Sequence, residues 1–464
     1  MFLVSKLPSA ERWKAITGAS LLFYSWHSPS SLIFLFLVVC VSYFVGKELE
    51  QEQSKGRRSF LLWLSIATFL LLIGVAKYLP TLLQFPESAG FIGPLGLSFY
   101  TFQAVGYLVD VYRRTRKFEP HFGLHISFIC FFPTLLSGPI ERSESLLPQL
   151  QQPADLTSRE REKNLLLFYG GLFKKLVIAD ALAKIISVVF QHPEYFTGFT
   201  LLLGIALARY MIFADFSGYA DMAVASAGLL GIKIRQNFMR PFFATSLIEY
   251  WRRWHISLHD WMKDYVFFSL SVSAAGRTLG IYFCLILSFL FMGAWHDIGW
   301  NFLAVGLWHG VFISLDYATR DFRQRFARQI GLDSWPIFYK VSQILITFVC
   351  FVLPPTVFFL AKDLTTADEI FRRVLLGDWS LNQIRLSVSN LVGGSPKALS
   401  LLIQTLIAIL GVEILHVIQS RGGLRDRILN LPRPLRLVLY VAMFVVLILF
   451  GQTFGERPYI YFQF

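Results

Sequence analysis

Long unbroken apolar runs limit what this chain can fold into more than any other feature. Residues 31–46 read SLIFLFLVVCVSYFVG, and 435–451 read LRLVLYVAMFVVLILFG. A helix rises about 1.5 Å per residue, so about 18–20 apolar residues cross the roughly 30 Å hydrocarbon core of a bilayer. Runs that meet or approach this length fall at about 19–46, 59–79, 91–112, 123–139, 165–190, 200–231, 279–296, 298–318, 337–361, 398–420 and 435–451. Inside a bilayer only helices or closed barrels satisfy their own backbone. Barrel strands alternate polar and apolar residues over about 10 positions, and these runs do not. The expected fold is therefore all-α: a polytopic membrane protein with about 10–12 transmembrane helices and some interfacial ones.

Composition agrees. Only 16% of the 464 residues are charged, against about 25% in soluble domains, and mean hydropathy is +0.54. No polar linker divides the chain, so residues 1–464 are expected to form one membrane domain. No internal repeat is visible, which leaves an inverted-repeat transporter without support.

The net charge of +13 is carried in short clusters between apolar runs, at 47–58, 113–117, 252–263, 320–328 and 421–436. That distribution fits cytoplasmic loops facing anionic lipid. No separate basic domain exists, so no nucleic-acid partner is expected. The same bias places loops 47–58 and 319–336 in the cytoplasm. It places loop 80–90, which has no Lys or Arg, outside together with the N-terminus. The first run is expected to be retained rather than cleaved. Cys40, Cys130, Cys284 and Cys350 are scattered through apolar segments and read as small buried hydrophobes. Residues 141–164 read as an interfacial loop with a short helix. The 362–397 excursion holds a helix start at Thr365 to Asp368.

Residues 235–310 carry the chemistry. Trp251, Trp254 and Trp261 alternate with Arg252, Arg253 and Lys263, the composition of a helix at the membrane surface. The Arg252–Arg253 pair either anchors at headgroup level or forms a basic lip for an anionic ligand. His255 and His259 are spaced to share one helix face. HISLH lacks the glutamate of a zinc-protease helix and has no evident third ligand, so no metal site is expected. His296 and Asp297 interrupt two apolar runs, and an ionisable residue at membrane depth is a functional candidate by default. A packed histidine bonded to a backbone carbonyl is the alternative for His296, and also for His309. Asp215 and Asp221, in DFSGYADMA, read either as relay carboxylates or as parts of a packed polar turn between helices; their Ser, Gly and Tyr neighbours favour the turn. A nucleophile elbow, a P-loop and a dinucleotide fingerprint are all missing from the sequence.

Seven stretches together resemble the membrane-bound O-acyltransferase family, in particular its bacterial branch. They are PLGLSFYTFQAVGYLVDVYR (94–113), FFPTLLSGPIER (131–142), GGLFKKLVIAD (170–180), DFSGYADMA (215–223), NFMRPFFATSLIEYWRRWHISLHDWMKDYVF (237–267), MGAWHDIGWNFLAVGLWHG (292–310) and YIYFQF (459–464). They run in family order from about residue 90 to about 320 and return at the C-terminus. The resemblance implies a ring of tilted helices around a central tunnel. It implies that His296 is the family's invariant histidine and that His255 is its second one. Asp297 stands where relatives usually have Gly; it either orients His296 or caps the following helix, and the cap is favoured.

The resemblance further implies no bound cofactor and a donor thioester, acyl-coenzyme A or an acyl carrier protein, arriving from the cytoplasm. Arg252 and Arg253 are candidate donor contacts. The implied acceptor is an extracytoplasmic glycan, reached through an extracytoplasmic partner acyltransferase or esterase-like protein, and the implied location is a bacterial cytoplasmic (inner) membrane. The chemistry of the residues agrees. Acylation of a hydroxyl needs a base near neutrality, which histidine supplies, and burial keeps it neutral. The competing class is a transporter or flippase that uses buried His and Asp.

Overall fold

The computed structural model describes residues 7–27, 29–82, 94–196, 198–297, 299–420 and 423–452. Among these residues the regular structure is entirely helical. Seven helices are long and apolar enough to cross a membrane: Ser31–Gln51, Lys55–Ala76, Gly198–Leu229, Trp300–Gln329, Pro336–Leu360, Pro396–Gln419 and Arg433–Phe450. Ile281–His296 is apolar but shorter, with 16 residues.

Other expected segments are helical yet interrupted. The run at 19–46 is two helices, Ser9–His27 and Ser31–Gln51, parted around Pro29. The run at 123–139 divides into Phe122–Cys130 and Phe132–Leu135. Pro133 lacks an N–H and cannot continue the first helix, and nine residues span only about 14 Å. The basic stretch 319–336 is not a loop: the helix Trp300–Gln329 carries its arginines. The second excursion does open a helix, Leu364–Leu376, but the cap is Asp363, whose carboxylate accepts from the Thr366 backbone N–H at 2.8 Å. Most of loop 80–90 and the terminal YIYFQF lie outside the described residues.

The chain forms two compact units, Met1–Tyr169 with Tyr219–Gln236, and Gly170–Gly218 with Asn237–Phe464. In the first, buried Arg58 donates to the carbonyls of Leu49 at 2.6 Å and Val111 at 3.2 Å. One guanidinium thereby satisfies the last turns of two helices, Ser31–Gln51 and Leu97–Tyr112. The PLGLSF and FFPTLLSGP stretches meet through Gly96, which has φ +74° and faces the Leu135 carbonyl so closely that a Cβ would sit 2.3 Å from it.

In the second unit, Ile281–His296 and Trp300–Gln329 form a tight hairpin. A Cβ on Gly293 would lie 2.4 Å from the Phe302 carbonyl oxygen, and one on Gly310 would lie 2.8 Å from Ile286 Cα. Small residues let these backbones touch, as in membrane helix pairs generally. The hairpin fixes His296 at the end of one helix and His309 inside the other.

DFSGYADMA is not a turn. It lies within the helix Gly198–Leu229, in which Asp215 is buried. Lys175 explains that burial, because its Nζ lies 2.8 Å from Asp215 and 2.9 Å from Asp180. A buried carboxylate is tolerated at this depth when a cation meets it. Lys175 sits in a π-helical stretch, Lys174–Ala179.

Candidate active site

The site is built on the short helices that follow Asn237. Ser246 caps Leu247–Trp251 by accepting from the Glu249 backbone N–H at 3.2 Å. Glu249 reaches back to the Thr245 N–H and hydroxyl, each at 2.7 Å, a close variant of the capping box. Asp316, on the Trp300–Gln329 helix, accepts from the Ile248 N–H at 3.0 Å and pairs with Arg323. These contacts fasten the YWRRWH stretch to the histidine hairpin.

His255 is not a helix residue. It adopts a left-handed backbone with φ 44° and precedes the helix Ile256–Trp261. A non-glycine residue in that region costs about 1–3 kcal/mol and clusters at functional sites. Asn237 holds the kink from both sides: its carbonyl accepts from Ile256 N–H at 3.0 Å, and its side-chain oxygen accepts from Ser257 N–H at 3.0 Å. The imidazole is 1% exposed and stands edge-on to Phe216, with centroids 4.6 Å apart. His259, by contrast, is partly exposed and lies 3.7 Å from Asp260. The shared helix face read from HISLH therefore does not form, because the helix begins only after His255.

Burial holds the His255 pKa well below the ordinary histidine range, and His296, close enough to act on it electrostatically, pushes the same way. Its proton affinity is thus lower folded than unfolded. Its contribution to stability is complete above the unfolded value of about 6.5 and is lost as pH falls below it. Thermal unfolding of detergent-solubilised protein should therefore shift to lower temperature between pH 7.5 and 5.5. The shift should be smaller in His255→Gln; an equal shift would contradict the assignment.

Two cavities lie beside these short helices and share two of their walls. A large one of about 510 Å³ is lined by Arg252, His259, Asp260, Lys263, Phe267 and Tyr317, among others, and its charged walls all come from the 252–263 stretch. A small chamber of about 50 Å³ is lined by His296, His309, Arg209, Trp254, Val305 and Phe359 among its walls. Trp251 and Met292 line both. Trp251 also donates its indole N–H to His309 Nδ1 at 3.3 Å, which leaves the imidazole proton on Nε2. The structure thus brings His296, His255 and His309 into one neighbourhood.

It separates the two arginines. Arg252 lines the large cavity. Arg253 pairs with Glu249 and donates to the Arg240 carbonyl at 3.4 Å. Asp297 is not the cap of the following helix. That position belongs to Gly299; Asp297 instead ends the preceding helix, its N–H donating to the Gly293 carbonyl at 3.4 Å.

Sequence reasoning missed Arg209. This residue is 8% exposed within Gly198–Leu229. Its guanidinium lies 4.1 Å from the Trp254 ring centroid and donates to the Tyr250 hydroxyl. The signal was available, since a single basic residue interrupts the apolar run 200–231.

The arrangement is compatible with acyl transfer: histidines at the small chamber and, beside it, a larger cavity with charged and apolar walls. Comparison with known proteins is consistent. Residues 22–361 match the model of the membrane-bound O-acyltransferase family. The chain is 30% identical over 394 residues to the probable alginate O-acetylase AlgI of Azotobacter vinelandii, covering 81% of this chain and 75% of that one. It is 31% identical over 406 residues to the peptidoglycan O-acetyltransferase of Helicobacter pylori, covering 79% and 74%. It is 25% identical over 379 residues to the teichoic acid D-alanyltransferase of Streptococcus thermophilus, covering 76% and 89%.

Proposed function

This chain belongs to the membrane-bound O-acyltransferase family, and on that footing we propose that it moves an acetyl group from a cytoplasmic thioester to hydroxyls of an extracytoplasmic polysaccharide. The observation that carries the proposal is the small chamber holding His296 beside the large cavity, with Trp251 and Met292 common to both. The donor, acetyl-coenzyme A or an acetylated carrier protein, enters the large cavity from the cytoplasmic face of a bacterial inner membrane. Its phosphate groups meet Arg252 and its acyl end passes Trp251 into the chamber. His296 takes the proton of the attacking hydroxyl. The new C–O bond forms, the C–S bond breaks, and the proton passes to the departing thiolate. His255, neutral through burial, helps place the thioester and His296.

Two features favour acetyl. The chamber is small, about 50 Å³, which suits a two-carbon acyl group better than a long chain. A D-alanyl group would bring its ammonium into the chamber that the Arg209 guanidinium lines, and like charges at close range are unfavourable. The acceptors named for the relatives, alginate, peptidoglycan and teichoic acid, support a cell-envelope or exported glycan. Delivery through an extracytoplasmic partner of the esterase-like kind completes the route.

The test is to measure acetate released by mild alkali from the extracytoplasmic polysaccharide of cells with and without the protein. Ester-linked acetyl should vanish in its absence and return with the wild-type chain. Unchanged acetyl content would contradict the proposal.

The arginines give a finer expectation. Arg252→Gln should raise the donor KM about tenfold, the size expected on losing one charge-assisted bond. Arg253→Gln should leave KM unchanged and cost at most about 1 kcal/mol, since its pair with Glu249 is a partly exposed i,i+4 contact. Equal KM shifts in the two variants would show that the cavity does not take the donor as described.

A further inference from the structure

We propose that Arg209 is a catalytic residue of the transfer: its guanidinium donates to the carbonyl oxygen of the thioester and holds the negative charge that oxygen gains when the hydroxyl attacks. The inference rests on the acyl-transfer reading above and adds to it the group that receives the developing charge.

Arg209 lies in the first half of a 32-residue apolar helix, Gly198–Leu229. A charge at that depth is costly and marks function unless structure explains it. Its surroundings orient it. Trp254 offers a π-face at 4.1 Å and Tyr250 a hydroxyl. Tyr250 and Trp254 are themselves 0% and 4% exposed and stacked with centroids 5.7 Å apart. They fix the plane of the fork, and arginine suits such a stacked, hydrogen-bonded seat better than lysine does.

The seat faces the reaction. Arg209 lines the same 50 Å³ chamber as His296 and His309. An acyl carbonyl placed for attack beside His296 occupies a chamber of which Arg209 is also a wall.

The electron count closes on these groups. The hydroxyl proton goes to His296 as the C–O bond forms. The carbonyl π pair moves onto oxygen, where the Arg209 N–H groups hold it. The pair then returns to carbon, the C–S bond breaks, and the imidazolium proton goes to the thiolate. A pre-organised donor of this type contributes about 10²–10³-fold in kcat, and more in a water-poor site than in water.

The experiment uses inverted membrane vesicles from the cell that makes the protein, with acetyl-coenzyme A added outside and free thiol measured. Arg209→Ala should lower kcat about 10²–10³-fold with KM within about threefold of wild type. Added methylguanidinium should restore part of kcat, whereas methylammonium should not. Arg209→Lys, which keeps charge and bulk but not the fork, should lose about tenfold in kcat. It decides the matter by itself if the Ala variant does not accumulate. Wild-type kcat in Arg209→Lys, or a loss in Arg209→Ala confined to KM and indifferent to methylguanidinium, overturns this role alone. Wild-type vesicles that release no thiol overturn the underlying acyl-transfer reading as well.

Discussion

Replacing His296 by Ala should abolish polysaccharide acetylation while the protein stays inserted and extractable at normal yield. A general base contributes about 10²–10⁴-fold, so only trace activity should remain. His296 is the last residue of Ile281–His296 and is not fully buried, so truncation leaves no closed core void of the kind that unfolds a protein. Its ring packs beside Trp295, Phe302 and Phe359. Gln retains volume and hydrogen bonding but is no base, and should be as inactive as Ala. A histidine kept only for packing would tolerate Gln in part. His255→Ala should be intermediate, because His255 positions groups and takes no proton. His309→Ala should be milder. Full acetylation by His296→Gln at normal yield would move the base to His255.

The second large effect is structural. Gly306→Ala should weaken the histidine hairpin by about 1–3 kcal/mol, the usual cost of overpacking. Activity should fall with it, since His296 and His309 are positioned by that contact. A Cβ at Gly306 would lie 2.5 Å from the Phe289 carbonyl oxygen and 3.0 Å from Leu290 Cα, both backbone atoms that cannot swing aside. Alanine's helix propensity returns at most about 1 kcal/mol, so the clash wins. Gly411→Ala is the control. It lies in the apolar helix Pro396–Ser420 with nothing within 4 Å of the new Cβ, and should be neutral or slightly stabilising. Detergent-extracted yield and thermal midpoint decide the comparison; equal behaviour at the two glycines would contradict the packing.

What the sequence discloses here follows from the length scale of each signal. The spans at 200–231, 337–361, 398–420 and 435–451 are legible because about 18 or more apolar residues leave few other options. Breaks are less legible. Pro133 divides a run whose hydrophobicity hardly changes across it, and the polar SWHSPSS around Pro29 is short enough for hydropathy averaged over a span length to smooth it away. The polar stretch DFSGYADMA looks like a turn because its partner, Lys175, lies 40 positions away in sequence. The pairing of His255 with His259 fails for a local reason: a helical spacing was assumed where the backbone is left-handed and clasped by Asn237. The cap assigned to Asp297 belongs two residues further on, at Gly299. Arg209 is the opposite case: a lone basic residue inside the apolar run 200–231 is legible from hydropathy alone.

The central claim is that the thioester is cleaved at the membrane, so that the acyl group and its carrier part company there. It is tested most directly with inverted vesicles and acetyl-coenzyme A labelled separately in the acetyl group and in the coenzyme. The account predicts acetyl label bound to glycan inside the vesicles, coenzyme label left outside as free thiol, and neither result with His296→Gln. Both labels entering together would identify a transporter, and acetyl transfer undiminished in His296→Gln would remove His296 from the chemistry; either result contradicts the account.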